Sequence, residues 1–353
     1  MRTLIRRLLL VMLLAIAVYG GLVLYRGVDL ISAQFANYHW WTFAAACGLA
    51  FANYLLRFLK WEYYLAKLEI RGVPKGESFL TFLSGFVLTV TPGKVGEVFK
   101  SFLLHETRGI SMVRTAPIVV AERVTDLIGV IVLIAVGSAS FDGGVVWAAA
   151  GAIVVALVLV FITSERLSRA VVDVLPRLPS ALGRVGARIQ PKLLQALAQL
   201  RVLTTPRRLV WPTMLSVVGW SLEGVGLWII LGGFEHQAPL AMTTFFYATA
   251  TLAGALVPVP GGLGVTEKVL EEGMEGIGHV PEAIATGSML LVRFATLWFA
   301  VAVGFVALAL LRRRYPKLLA AHAELEARGE STEETRDEST EERSTRNNAS
   351  GAG

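Results

Sequence analysis

Several apolar runs approach or exceed the length of about 18 residues that a helix needs to cross a bilayer. Inside lipid, each backbone polar group must be satisfied within its own segment, so such runs restrict the chain to transmembrane helices. Charged residues are only 17% of the sequence and hydrophobic residues are 54%, whereas soluble domains carry about 25% charged residues. The sequence therefore predicts an all-α polytopic membrane protein.

The apolar runs divide the chain into full spans and shorter interrupted segments. Six spans are predicted, at roughly 5–25, 40–60, 115–138, 145–163, 209–231 and 283–311. We read the first as an uncleaved helix rather than a signal peptide. The interrupted segments are 78–108 and 240–279. The resulting membrane domain is 1–315, and a polar tail over 316–353 is expected to be disordered.

The two interrupted segments carry similar glycine-rich motifs. The first is TPGKVGE at Thr91–Glu97, and the second is PGGLGVTE at Pro260–Glu267. Each is followed by a membrane helix with an arginine, and the spacing from glutamate to arginine is equal, since 123 − 97 = 26 and 293 − 267 = 26. Paired, glycine- and proline-interrupted hydrophobic segments in two halves of a chain indicate the substrate site of a transporter.

Loop charges predict the orientation. Lys and Arg are concentrated near the N-terminus, in 60–77, 94–114 and 164–208, and after the last span, which places all of these in the cytoplasm. Segment 258–282 carries five glutamates and one lysine, which suits the outer side. These assignments agree only if each interrupted segment is a re-entrant hairpin, the first entering from inside and the second from outside.

The same topology gives the two halves opposite directions. Residues 40–138 and 209–311 would then form an inverted repeat, the architecture of alternating-access transporters. The connector 164–208 holds leucines at helical spacing beside basic residues. It is either an amphipathic helix on anionic inner-leaflet lipid or a plain connector.

Charged residues inside the predicted helices are candidates for function, because an unpaired charge in lipid is costly. Glu122, Arg123 and Asp126 cluster in one span, and the last two can form an ion pair three residues apart. Glu223 lies in the middle of another span. Arg293 has no acid near it in its own helix, and we expect Glu267 to be its partner. Arg57 either reaches the membrane interface or has a function.

The glycine-rich tips have two interpretations that are compatible. Their backbone amides can bind an anion such as phosphate, with Lys94 adding a charge, or glycine and proline simply permit a tight turn. Glu97 and Glu267 can cap amides, pair with the arginines or carry a proton. The candidate substrate-binding residues are Pro92, Gly93, Lys94, Gly96, Glu97, Glu122, Arg123, Asp126, Glu223, Pro260, Gly261, Gly262, Gly264, Glu267 and Arg293.

Other chemistries find little support in the sequence. No His-Glu-x-x-His zinc motif and no phosphate-binding loop of the nucleotide hydrolases is present, and Cys47 is the only cysteine. We therefore expect no metal, cofactor, nucleic-acid partner or enzymatic activity. The alternatives are a membrane enzyme using Glu97 or Glu267 as acid or base, and an accessory subunit of cell-envelope glycan or lipid synthesis.

The two tip motifs, together with Glu122–Asp126 (ERVTD), resemble the lysylphosphatidylglycerol synthase transmembrane-region family, also called flippase-like integral membrane proteins, over about residues 5–315. The resemblance implies a lipid-translocating domain in the bacterial cytoplasmic membrane, with both termini cytoplasmic. In two-part relatives this domain moves an aminoacylated phospholipid made by a fused synthase. We expect no synthase here, so the substrate is either a phospholipid or a polyprenyl-phosphate carrier.

Overall fold

The structure, a computed structural model, describes residues 28–90, 98–139, 164–174, 180–257, 259–316 and 318, with scattered positions between 17 and 24 and between 146 and 160. All regular elements in these ranges are helices, which confirms the all-α prediction. The first tip motif at 91–97, most of the predicted spans 5–25 and 145–163, and the tail after 318 lie outside the described residues.

Within 28–90 and 98–139, the described part of the first half, there are five helices. They are α1 (Val28–Ala36), α2 (Trp40–Lys67), α3 (Lys75–Ser84, followed by a 3-10 turn at Gly85–Leu88), α4 (Phe99–Arg108) and α5 (Met112–Ser138). Gly109 ends α4 in the left-handed conformation with φ 67°, which glycine adopts without a steric penalty. The first tip motif lies in the sequence between α3 and α4, and we call these two short helices the arms of the first half.

The connector between the halves is helical. It contains α6 (Glu165–Val174) and α7 (Ser180–Leu203). At the end of α7, Leu200 and Leu203 are buried, and the helix packs against α5. The leucine spacing thus correctly predicted a helix, and its last turns belong to the protein core rather than to a free lipid-facing surface.

The second half repeats the order of the first. It contains α8 (Pro206–Gly233), α9 (Leu240–Leu256), a 3-10 turn at Pro260–Gly262, α10 (Val265–Glu272, followed by a π turn at Gly273–Ile277) and α11 (Glu282–Arg314, with a π turn at Phe294–Trp298). In both halves a long helix precedes two short arms that flank a glycine-rich motif, and a second long helix follows.

Three helices of the described part are long and apolar enough to cross a membrane. They are α2 and α8, with 28 residues each, and α11, with 33 residues. At 1.5 Å per residue even the shorter two measure about 42 Å, more than the hydrocarbon layer of about 30 Å. Helix α5 has 27 residues and carries the charges Glu122, Arg123 and Asp126.

One helix boundary predicted from hydropathy is wrong, and one lysine counted among the cytoplasmic charges is buried. Helix α2 runs to Lys67, so Lys60 is a fully buried helix residue and not part of a loop. Lys100, also counted as a loop charge, is buried in α4. Each lysine has a buried carboxylate partner on another helix, which hydropathy along one segment cannot reveal. Exposed cations such as Arg71 and Lys75 still support a cytoplasmic α2–α3 loop.

The long helices α2 and α8 pack against each other in opposite directions. Lys60 contacts Ser216 and Asn53 contacts Glu223, so residue numbers fall along α8 as they rise along α2. The separation of the second pair is 170 residues. This equals the offset between the two motif glutamates, 267 − 97, and between the two motif arginines, 293 − 123. Asn53 and Glu223, which are separated by this same offset, therefore contact each other where α2 and α8 cross.

The short arms pack across the two halves. Helix α9 lies on α5, where a Cβ at Gly137 would be 2.6 Å from the Phe245 Cβ. Helix α3 and its 3-10 turn lie on α11, where a Cβ at Gly304 would be 2.7 Å from the Val87 nitrogen. The first arm of each half therefore packs on the last helix of the other half.

A polar cluster joins α3, α4 and the residue that follows α11. The Glu77 carboxylate of α3 accepts hydrogen bonds from Arg108 Nε of α4 at 2.6 Å and from the Tyr315 hydroxyl after α11 at 2.5 Å. Burial raises the pKa of the Glu77 carboxyl, but the hydrogen bonds from Arg108 and Tyr315 outweigh it and hold the pKa below its ordinary value. The cluster therefore stabilises the fold until the pH falls through that lowered pKa.

We predict that Gly137→Ala destabilises the protein, because the added methyl group overlaps α9. Overpacking of this kind costs about 1–3 kcal/mol and should lower the midpoint of thermal unfolding in detergent. Gly48→Ala in α2 is the matched control, since no atom lies within 4 Å of the added Cβ. An equal midpoint for Gly137→Ala and wild type would contradict the close packing of α5 and α9.

Candidate functional site

The second tip is built on glycines in conformations that other residues avoid. Gly261, Gly262 and Gly264 have φ values of 62°, 70° and 84°, in the left-handed region where only glycine is free of strain. Gly254 of α9 faces the Thr266 hydroxyl so closely that a side chain there would overlap it. The turn interpretation of this motif is therefore correct, and the two arms meet without a gap.

Glu267 holds this tip in place from a fully buried position. One carboxylate oxygen accepts the Gly264 amide at 2.7 Å, and the other accepts Arg293 Nε at 2.6 Å and the Tyr19 hydroxyl at 3.1 Å. Arg293 also donates to the Gly261 carbonyl at 2.7 Å. Glu267 thus caps an amide and pairs with Arg293, the partner expected from the sequence.

A second charged cluster joins α2, α5 and α8. The Asp126 carboxylate accepts hydrogen bonds from Lys60 Nζ at 2.5 Å and from the Ser216 hydroxyl at 3.0 Å. Its other oxygen lies 3.1 Å from the Arg123 guanidinium, the ion pair expected at a spacing of three residues. One carboxylate is therefore shared by two cations, and Arg123 remains 28% exposed.

Glu122 is directed to a different partner. It forms a buried ion pair with Lys100 of α4. The Lys100 ammonium also lies 4.8 Å from the centre of the Trp61 ring and 5.1 Å from that of Phe82, where the ring faces stabilise a cation. Glu122 was predicted from the sequence to be a substrate-binding candidate. The structure instead places it in this ion pair, outside the linings of the two cavities described below.

Glu223 lies where the two long antiparallel helices cross. It is 6% exposed and accepts a hydrogen bond from Asn53 Nδ2 at 2.5 Å. The Tyr247 hydroxyl of α9 donates to its other oxygen. Glu223 therefore connects α2, α8 and α9 where α2 and α8 cross.

Two neighbouring cavities open between these clusters. The larger has a volume of about 280 Å³, with Arg123 and Asp126 at one side and Leu127, Val130, Leu252 and Leu256 among its apolar walls. The smaller, of about 70 Å³, is lined by Arg57, Glu223 and Arg293. Both are bounded by Trp220, Thr251, Gly254, Ala255, Gly261 and Gly262.

The site carries an excess of positive charge. Among the described residues, its ionisable groups are the four cations Arg57, Lys60, Arg123 and Arg293 and the three carboxylates Asp126, Glu223 and Glu267. Four less three leaves a formal charge of +1. The ion pair of Lys100 and Glu122, which lines neither cavity, is left out of this sum and has no net charge. This arrangement suits a monovalent anion bound against the arginines, with an apolar chain against the walls of the larger cavity.

The structure places most of the sequence candidates at or beside these cavities. Arg123, Asp126, Glu223, Gly261, Gly262 and Arg293 line them, whereas Pro260, Gly264 and Glu267 shape the tip. Pro92, Gly93, Lys94, Gly96 and Glu97 lie outside the described residues. Val90, the last described residue before them, comes within 3.6 Å of a Cβ built on Gly261, so the chain enters the first tip beside the second.

Lys60, Lys100, Asn53 and Tyr247 were missed by sequence reasoning. A signal was available for the two lysines: Glu122 and Asp126 in one membrane helix require cations nearby, because a buried unpaired carboxylate costs several kcal/mol. In the described ranges, no group of three or more His, Cys, Asp or Glu side chains is arranged to hold a metal ion.

Fold and site together define an α-helical integral membrane protein with a charged cavity between two similarly ordered halves. The chain matches the family model described as "Lysylphosphatidylglycerol synthase TM region" over residues 11–304. It belongs to that family. A search of curated proteins gave no match.

We predict that Asp126→Leu destabilises the protein by about 3–5 kcal/mol, because it leaves the Lys60 ammonium buried without its carboxylate. The double variant Lys60→Met/Asp126→Leu should be more stable than Asp126→Leu alone, and Lys67→Met on the exposed end of α2 is the control. The measurement is equilibrium unfolding in mixed micelles. Additive effects of the two substitutions would contradict a coupled pair.

Proposed function

We propose that this protein is a translocase that moves a phosphate-bearing lipid, either a phospholipid or a polyprenyl-phosphate carrier, across the bacterial cytoplasmic membrane. Its family is a membrane domain associated with lipid flipping. The observation that carries the proposal is the cavity pair, which combines three arginines and a net charge of +1 with an apolar wall. A lipid with one anionic phosphate matches both properties.

Arginine suits this task because its planar guanidinium donates several hydrogen bonds to phosphate oxygens. Arg123 in the larger cavity and Arg57 in the smaller would contact the headgroup. Arg57 also lies 5.2 Å from the centre of the Phe86 ring, which holds its side chain inside the protein. Arg293 is already bound to Glu267 and the Gly261 carbonyl, so its main role is to fix the tip.

Alternating access would follow from an inverted repeat. Three observations support one: α2 and α8 run in opposite directions, equivalent residues meet at Asn53 and Glu223, and each first arm packs on the last helix of the other half. The 17 residues of α9 measure about 26 Å, less than the hydrocarbon layer of about 30 Å. Such an arm suits a re-entrant hairpin whose tip reaches the cavity.

Location and partners extend the same proposal. Both termini would be cytoplasmic, because Arg312, Arg313 and Arg314 end α11 and the basic residues Lys67, Arg71 and Lys75 lie in or beside the α2–α3 loop. The basic helix α7 would contact anionic lipids of the inner leaflet with its exposed residues, such as Leu193. A lipid carrier also implies neighbours that make or consume it, so we propose cell-envelope biosynthesis proteins as partners.

We predict that Arg123→Gln and Arg57→Gln each slow lipid exchange about 10- to 100-fold. The loss of one charge-assisted hydrogen bond costs about 1.5–3 kcal/mol, and each 1.4 kcal/mol is a factor of about ten. The assay follows fluorescent phosphatidylglycerol in phosphatidylcholine vesicles that contain the purified protein. Arg71→Gln, at an exposed loop position, is the matched control.

The lipid headgroup provides a second control. Fluorescent glucosylceramide, which has no phosphate, should exchange slowly with wild type and with all variants. Wild-type exchange of phosphatidylglycerol by both Arg123→Gln and Arg57→Gln would refute the arginine site. Equal exchange of the two lipids by wild type would refute recognition of phosphate.

A further inference from the structure

Glu223 is an acid that the proposed lipid site does not need for binding an anion. It lies in the wall of the smaller cavity together with Arg57, one of the two arginines that would bind phosphate. A carboxylate there repels an anionic headgroup and weakens its binding unless the carboxylate becomes neutral. The negative charge of Glu223 therefore opposes anion binding, and the protonation state of Glu223 in the loaded site has to be accounted for.

The position itself does not require a carboxylate. Glu223 and Asn53 occupy equivalent places in the two halves, 170 residues apart, and contact each other. In the first half the place is held by an amide, so a neutral hydrogen-bonding residue is compatible with this crossing of helices. The second half therefore has an ionisable side chain, Glu223, at a position where the first half has the neutral Asn53.

The surroundings of Glu223 suit both protonation states. Asn53 and Tyr247 each donate a hydrogen bond to the ionised carboxylate. When one oxygen is protonated, the Tyr247 hydroxyl can turn and accept that proton in a hydrogen bond, because a phenol is both donor and acceptor. The amide of Asn53 continues to donate to the other oxygen.

The charged and titratable groups around Glu223 come from every neighbouring element. Helix α2 contributes Tyr54 and Arg57, α9 contributes Tyr247, and α11 contributes Arg293. Two turns along α8, Ser216 reaches the Asp126 and Lys60 pair of α5 and α2. In the empty site the described cations outnumber the described carboxylates by one. A bound monoanion cancels that excess and favours uptake of a proton.

We propose that Glu223 carries one proton with each anionic lipid, so that transport is a proton–lipid symport. This rests on the proposed lipid translocation. The charge balance of the described groups supports it: they sum to +1 in the empty site, and again to +1 with one monoanion and one proton bound. Both forms that must change access across the membrane then have equal charge, and transport of a monoanionic lipid is electroneutral.

Proteoliposomes test this directly. Vesicles of phosphatidylcholine with a trace of fluorescent phosphatidylglycerol are given a gradient of one pH unit, and the label in each leaflet is measured by extraction with albumin. For wild type we expect the probe to accumulate about tenfold in the leaflet facing the alkaline side. A potential set with potassium and valinomycin should not change that ratio.

Substitution of Glu223 tests whether this residue carries the proton. Glu223→Gln should lose the accumulation at every pH gradient, whatever its rate of exchange. Glu271→Gln is the matched control, because Glu271 is also a buried acid, accepts a hydrogen bond from Thr286 at 2.7 Å and lies away from both cavities. A purely structural Glu223 would leave the accumulation ratio unchanged in Glu223→Gln, since glutamine preserves an acceptor for Asn53 or Tyr247.

A binding experiment covers the case in which Glu223→Gln does not exchange lipid. In weakly buffered detergent, wild type should take up one proton per bound molecule of dihexanoyl-phosphatidylglycerol, as reported by a pH indicator dye, and Glu223→Gln should take up none. Exchange of the probe by wild type without a gradient response and without proton uptake would overturn the symport and leave the translocase intact. Absence of any exchange by wild type would instead refute the translocase.

Discussion

The cost of placing ionised side chains in lipid determines how this protein is built. Each buried charge loses several kcal/mol of hydration unless a partner compensates it. Three pairs of buried charges in the described helices join different elements: Lys60 with Asp126, Lys100 with Glu122 and Arg293 with Glu267. The buried acids Glu223 and Glu271 accept hydrogen bonds from neutral side chains. The three ion pairs fix which helices touch, so the same interactions that permit a polar site also specify the fold around it.

The pairs also separate structural charges from those available to a ligand. Lys100 and Glu122 satisfy each other between aromatic rings and away from the cavities. Arg123 shares its acid with Lys60 and stays partly exposed to the larger cavity. Among the described groups of the site the cations outnumber the carboxylates by one, and the proposed phosphate headgroup is a ligand of matching charge.

Much of this arrangement could be read from the sequence, and the rest could not for physical reasons. The helices, the glycine turn and the pair of Arg293 with Glu267 follow from apolar runs, from φ preferences and from an arginine that had no acid near it in its own helix. Lys60 and Lys100 were missed because hydropathy assigns lysines to loops, while their partners lie on other helices. The meeting of Asn53, Glu223 and Tyr247 depends on where two antiparallel helices cross, and no local pattern encodes that point.

Access to the shared wall of the two cavities from both faces of the membrane is the central requirement of this account. Thr251 lies in that wall, and a single cysteine there in a Cys47→Ser background can be labelled from either side of sealed vesicles with an impermeant thiol reagent. Labelling from both sides, slowed from both by dihexanoyl-phosphatidylglycerol, is the predicted result. Labelling from one side only, or labelling that this anionic lipid does not slow, would contradict a site that carries a headgroup across the membrane.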